Sequence, residues 1–236
     1  MGLAFGLWIE PEMVNKDSDL YRAPSGLDAV RPGPQRLPWQ ESVRSGFFQG
    51  GSGGVYLPDV KICAGRGAVS YIKWDMNRCM SEVYSRAGRP EEQGMVFHRY
   101  ILGVYSLYEK LIRRYPHILL ESCASGGARF DPGMLYYAPQ CWTSDDTDAV
   151  ERLKIQYGTS MVYPLSSMGA HVSAVPNHQV LRTTPIETRA NVACFGTFGY
   201  ELDLNQLTEE ELEKVRRQIA FMRRTGISSS SEPFTG

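Results

Sequence analysis

This sequence has no surplus of charge, few histidines and no long apolar run, and each deficit removes a class of function. Its 25 basic and 26 acidic residues give a formal charge of -1, which favours neither nucleic acid nor an anionic membrane surface as a partner. A neutral ligand fits best. No stretch approaches the roughly 20 apolar residues of a membrane span. The first residues, Met1 to Ile9, carry neither a basic leader nor a small-residue cleavage site. The five cysteines, Cys63, Cys79, Cys123, Cys141 and Cys194, are odd in number and scattered, with no Cys-x-x-Cys pair and no histidine at metal-site spacing. That argues against structural zinc and for a reducing compartment, so a cytoplasmic protein is expected. His98, His117, His171 and His178 read as structural.

What is present is the make-up of a soluble globular domain. At 42% hydrophobic and 22% charged, 236 residues can bury one substantial core. Leu3 to Ile9 is a short apolar run stopped by Glu10-Pro11-Glu12, as a buried strand would be. Tyr71-Ile72-Lys73-Trp74 reads as another, and it delivers Asp75 to its end. From Met95 to Arg114, Phe97, Ile101, Val104, Tyr108, Leu111 and Ile112 recur at helical spacing, with Arg113-Arg114 in the last turn and Pro116 as a stop. His117 to Glu121 is a strand that opens into the small-residue loop Ser122 to Gly127, where backbone can approach a ligand. Gln140 to Thr143 is a strand, Ala149 to Met161 a helix carrying Val150, Leu153, Ile155 and Tyr157, and His171 to Asn177 a strand. A helix from Glu187 to Cys194, a strand within Gly196 to Leu204 and a helix entered through the Thr208 to Glu211 capping box complete the series. Alternation of this kind predicts an α/β fold with a parallel sheet, and the polar loops after its strands predict a (β/α) barrel with its site at the C-terminal strand ends. Six strands can be counted, two short of a closed barrel.

Two sets of carboxylates follow apolar strands: Asp75, and the cluster Asp145, Asp146 and Asp148. In a barrel, strand ends converge, so two such carboxylates can flank a bond. Retaining glycoside hydrolysis needs that pair, one ionised as nucleophile and one protonated as acid, about 5 Å apart. Lys73, two residues before Asp75 on the same strand face, would favour its ionised form, and Trp8 offers a platform for a sugar ring. Bland readings stand beside these. An aspartate at a strand end is more often a turn or cap residue than a nucleophile, and Asp148, directly before Ala149, reads as an N-cap. The acidic cluster can also hold magnesium, although no phosphate-cradling motif accompanies it. Cys123 is either a small buried hydrophobe or a nucleophile, and no base lies beside it in the sequence.

Four motifs, Phe5 to Met13, Lys73 to Arg78, Glu121 to Asp131 and Trp142 to Asp148, closely resemble those of the retaining α-galactosidases of glycoside hydrolase family 36. The match runs through residues 1–23 and about 67–224. The resemblance implies a TIM-barrel enzyme that removes terminal α-D-galactose from raffinose-type oligosaccharides by double displacement, as an intracellular homo-oligomer without a cofactor. It makes Asp75 the nucleophile and Asp145 the acid/base, and places Trp8, Lys73, Asn77, Cys123 and Gly126 around the sugar. Cys123 is then a ligand contact, not a nucleophile.

The sequence also departs from that family. Its N-terminal β-domain, the first two barrel strands with their Asp-Asp-Gly-Trp motif, and its C-terminal β-domain have no counterpart here, so Met1 reads as internal and the chain as one partial (β/α)8 barrel domain over residues 1–236, with about six of eight strands. Residues 24–66 are broken by prolines and glycines throughout, and read one nucleotide later they can encode His-Pro-Asp-Trp, a Gly-Arg-Asn-Gln run and an amphipathic helix, all family-like. Residues 225–236 behave alike when shifted by two nucleotides. Both segments are therefore expected to be out-of-frame and irregular. Besides an α-galactosidase, the sequence admits an inactive remnant of one, or an α-galactosyl transferase of the raffinose or stachyose synthase kind.

Overall fold

The computed structural model describes residues 3–15, 42–44, 69–77 and 89–225, which fall in two compact units, one ending at Pro139 and the other beginning at Gln140. The first contains β1 (Phe5–Ile9), β2 (Met13–Asn15), β3 (Ser42–Arg44), β4 (Val69–Trp74), α1 (Val96–Arg114), β5 (Leu119–Ser122) and α2 (Pro132–Tyr137). β4 lies between β1 and β5 and is parallel to both. The register sets Trp8, Lys73 and Glu121 in one row and Ile9, Trp74 and Ser122 in the next. Beyond the strand ends the ladder continues, because the Asp75 amide donates to the Ile9 carbonyl at 2.9 Å and the Cys123 amide to the Trp74 carbonyl at 2.9 Å. Asp75 and Cys123 are thus fixed by backbone before their side chains do anything.

Period-two alternation along β4 buries Ile72 and Trp74 in a core shared with α1, and leaves Tyr71 and Lys73 half-buried on the other face. The α1 residues Val96, Tyr100, Val104, Leu107, Tyr108 and Leu111 form its inner stripe, with Tyr108 edge-on to Trp74 at 4.8 Å. Complete burial of each such side chain contributes about 1.5–3 kcal/mol. Phe97, counted in the helical stripe from spacing, is 47% exposed, and Ile101 and Ile112 are only partly covered. The true stripe includes Tyr100, whose hydroxyl is satisfied by buried Glu12, a partner that periodicity cannot reveal. The β2–β3 pair is antiparallel, so residues 42–44 are regular strand where irregular chain was expected. The other residues from 24 to 66, and those from 226 to 236, lie outside the described residues.

The second unit contains β6 (Gln140–Cys141), α3 (Ala149–Ser160), β7 (Gly169–Ser173), α4 (Ile186–Ala193), β8 (Thr197–Glu201) and α5 (Glu209–Thr225). β7 and β8 are parallel, and Ala170, Val172, Ile186, Ala190, Ala193 and Val215 form the core around them. Gly196 is required just before β8, because a Cβ there would lie 2.7 Å from the Ala170 Cβ and 2.8 Å from the Met168 carbonyl. The capping box forms as expected: the Glu211 amide donates to Thr208 Oγ1 and the Thr208 amide to Glu211 Oε2. Two strands are shorter than expected, β6 stopping at Cys141 and β7 at Ser173. The α3 helix buries Ala149, Arg152 and Gln156, while Leu153 and Tyr157 are 54% and 70% exposed. Its inner face is polar because Arg152 and Gln156 find backbone carbonyls there. Parallel strands alternating with helices make the architecture α/β, and no helix among the described residues is long and apolar enough to cross a membrane.

Candidate active site

In the first unit, Asp75 follows the last residue of β4 and is 5% exposed. Trp8, arriving from β1, donates its indole N–H to Oδ2 at 3.1 Å, and Asn77 donates its amide to the same oxygen at 2.7 Å. The Met76 amide donates to Oδ1 at 2.7 Å. Burial pushes the Asp75 pKa up, but the hydrogen bonds from Cys123, Trp8, Asn77 and the Met76 amide outweigh it and hold the carboxyl below its ordinary 3.8. An ionised, desolvated carboxylate held by neutral donors results.

Each donor has its own support. Asn77 also donates to Glu10 Oε1 at 2.7 Å, and its carbonyl oxygen accepts from the Ser125 amide and hydroxyl at 3.2 Å each. Ser125 and Gly126 both take left-handed backbone, φ 51° and 84°, which turns the loop after β5 toward Asn77 and suits glycine at 126. Burial, followed by the charge of Asp75, raises the Cys123 thiol, although the Gly126 amide opposes this. Cys123 therefore remains a neutral thiol donating to Asp75, the opposite of what a nucleophilic cysteine needs.

Lys73 is engaged by Glu121. Its ammonium lies 3.6 Å from Glu121 Oε1, its neighbour in register on β5, and Tyr71 donates to the other Glu121 oxygen. Glu121 is 2% exposed. Deeper still, Glu12 is fully buried and accepts from Trp74 Nε1 at 2.6 Å, from Tyr100, and from both terminal nitrogens of Arg129 at 2.8 and 2.6 Å. Glu10, Glu12, Tyr71, Glu121 and Arg129 were not singled out from sequence. The available signal was that a charged residue directly beside a strand end, or inside an apolar strand, must have a partner.

In the second unit, Asp145 is exposed and its Oδ1 accepts from the Trp142 indole at 3.1 Å. Trp142 is buried, with the Arg152 guanidinium 4.6 Å from its ring centroid and the His171 ring stacked at 4.7 Å and 26°. Arg152 is 3% exposed and donates to Thr143 Oγ1 at 3.2 Å, the Ser144 carbonyl at 3.2 Å and the Gly169 carbonyl at 2.5 Å. Burial lowers its pKa to about 10, against the charges of Asp146 and Glu201, and it stays cationic at neutral pH. Asp146 accepts from the Asp148 amide at 3.0 Å. Asp148 is the expected N-cap, accepting from the Val150 and Glu151 amides at 3.1 Å each and pairing with Arg182. No group of three or more acidic, histidine or cysteine side chains able to hold a metal ion is present among the described residues. An apolar cleft of about 430 Å³, lined by residues including Leu153, Tyr157, Leu165, Val192 and Phe195, carries no acid or base.

A protein-family model described as melibiase matches residues 1–227. The α-galactosidase AgaA of Geobacillus stearothermophilus is 50% identical over 223 residues, covering 94% of this chain and 31% of that protein. The α-galactosidase Mel36A of Lactobacillus acidophilus is 48% identical over 227 residues, covering 92% and 30%. The crystal structure of the Geobacillus enzyme, a GH36 α-galactosidase, superposes with a TM-score of 0.89 over 94% of this chain and 31% of that one. A variant of it solved with raffinose gives 0.90 at 49% identity, over 96% and 32%. The chain spans about a third of the length of the relatives it matches.

Proposed function

This chain belongs to the melibiase family, and on that premise we propose that it carries the catalytic carboxylates of a retaining α-galactosidase acting on raffinose-type oligosaccharides. The observation that carries the proposal is Asp75: a buried carboxylate at a strand end, kept ionised by neutral donors. Such a group attacks the anomeric carbon as the bond to the leaving sugar oxygen breaks. Asp145 supplies the proton to that oxygen, then takes one from water, which displaces Asp75 and releases galactose with its configuration retained. Both Asp75 oxygens already accept hydrogen bonds, which keeps its basicity low and makes it a competent leaving group in the second step.

Trp8, Lys73, Asn77, Cys123 and Gly126 are assigned to the galactose site. Trp8 is half exposed beside Asp75 and offers an indole edge and face. The Lys73 ammonium, 3.6 Å from Glu121 Oε1, offers donors to sugar hydroxyls. On this reading the parallel strands belong to a partial (β/α)8 barrel with about six of eight strands, with no cofactor or metal in the mechanism and no nucleic-acid or membrane partner. The free cysteines Cys123, Cys141 and Cys194 suit a cytoplasmic setting, and a homo-oligomer is the proposed assembly of the intact enzyme.

The test is hydrolysis of a chromogenic aryl α-galactoside, and of raffinose, by the purified 236-residue chain with Asp75→Ala as control. Release of galactose that the substitution abolishes is the expected result. Turnover that survives Asp75→Ala removes the nucleophile assignment. A folded chain that releases nothing is the inactive remnant, and transfer to sugar acceptors in preference to water makes it the transferase.

A further inference from the structure

We propose that Arg152 is a positioning residue for the Asp145 carboxyl, acting through the Trp142 indole; the inference rests on the acid/base reading of Asp145 for its catalytic meaning. Among the described residues Trp142 is the one hydrogen-bond partner of Asp145, donating to Oδ1 at 3.1 Å and leaving Oδ2 to carry the proton. An exposed carboxylate with one fixed oxygen has a defined direction of proton delivery only if the donor itself cannot move. Arg152 supplies that restraint in two ways. Its guanidinium lies 4.6 Å from the Trp142 centroid, within cation–π range. Its fork also reaches Thr143 Oγ1, the Ser144 carbonyl and the Gly169 carbonyl, which ties the residues between Trp142 and Asp145 to the first residue of β7.

The choice of arginine is informative. At 3% exposure its burial is unfavourable, and Asp146 and Glu201 act on it only through space, with no ion pair to Arg152 among the described residues. A well-packed apolar side chain would serve stability as well or better at such a position. What an apolar side chain cannot do is face an indole with a planar cation while donating to three acceptors in fixed directions. Lysine has the charge without the fork. The restraint is of value where Asp145 must meet one leaving-group oxygen, since misplacing a catalytic group by about 1 Å can lower a rate roughly 100-fold.

The experiment compares the 236-residue chain with Arg152→Lys, Arg152→Met and Trp142→Phe, the last also identifying the Trp142 indole resonance in ¹H–¹⁵N spectra. Loss of the restraint should speed solvent exchange of the Trp142 indole proton by tenfold or more in both Arg152 variants, while the indoles of Trp8 and Trp74 stay as in the parent. On substrates, kcat/KM for raffinose, whose leaving group needs a proton, should fall about 100-fold. That for a nitrophenyl α-galactoside, whose leaving group does not, should fall less than fivefold, and Trp142→Phe should reproduce the same split. An unchanged Trp142 indole in Arg152→Lys overturns the proposal, as does an equal loss on both substrates, which is the mark of a purely structural role. Should Arg152→Met fail to fold, Arg152→Lys and Trp142→Phe decide. A parent chain that cleaves neither substrate refutes the galactosidase reading, and the indole exchange rates still judge the positioning by themselves.

Discussion

Replacing Glu12 with Gln should destabilise the first unit more than any exposed substitution can. Glu12 is fully buried and accepts four hydrogen bonds, from Trp74, Tyr100 and both terminal nitrogens of Arg129. Glutamine keeps the volume but turns one acceptor into a donor that faces other donors, and it removes the only carboxylate paired with Arg129 among the described residues. Burial works to lower the Arg129 pKa, and it is Glu12 that holds it up instead. Without Glu12 a buried cation is left uncompensated, at a cost of about 3–5 kcal/mol. At 2–4 °C per kcal/mol for a chain of this size, the melting point should fall by about 6–20 °C. The assay is thermal and urea unfolding followed by near-ultraviolet circular dichroism, on Glu12→Gln, Arg129→Met and the double variant. Because the two side chains act on each other, the double variant should lose about 2 kcal/mol less than the sum of the singles. A loss below 1 kcal/mol in Glu12→Gln, or strict additivity, would refute the view that this ion pair joins β1 to the Trp74 core.

Asp75, held below its ordinary 3.8 in the folded chain, contributes stability that is present above about pH 3.8 and is lost as pH falls through its lower folded value; Asp75→Asn should lack this contribution at neutral pH and lose the matching step in the acid-unfolding profile. The raised Cys123 thiol should react with iodoacetamide at pH 8 at least tenfold more slowly than in the urea-unfolded chain, and faster in Asp75→Asn, as read by mass spectrometry of the Cys123 peptide. Loss of the α3 cap in Asp148→Ala should cost about 1–2 kcal/mol in denaturant melts, whereas Asp148→Asn, which can still cap, should cost less than half of that. Equal losses in the two Asp148 variants would mean that the Arg182 pair, and not the cap, carries the stability.

Sequence alone determined whatever depends on neighbours in the chain. Strand–helix order, Asp75 at a strand end, the Asp148 cap, the Thr208–Glu211 box and the small-residue loop from Ser122 to Gly127 all follow from local propensity or from runs of adjacent residues, and so do the family motifs. Tertiary structure decided whatever depends on partners far along the chain. Glu12 meets Arg129 across 117 positions, Lys73 meets Glu121 only because parallel register sets them in one row, and Trp8 reaches Asp75 from 67 residues away. The α3 helix is the clearest case: its pattern marks Leu153 and Tyr157, yet it packs through Arg152 and Gln156, because backbone carbonyls at Gly169, Val192 and Phe195 require donors there. Hydrophobic periodicity records how much each residue avoids water; which buried polar group will meet it is set only when the strands and helices have packed.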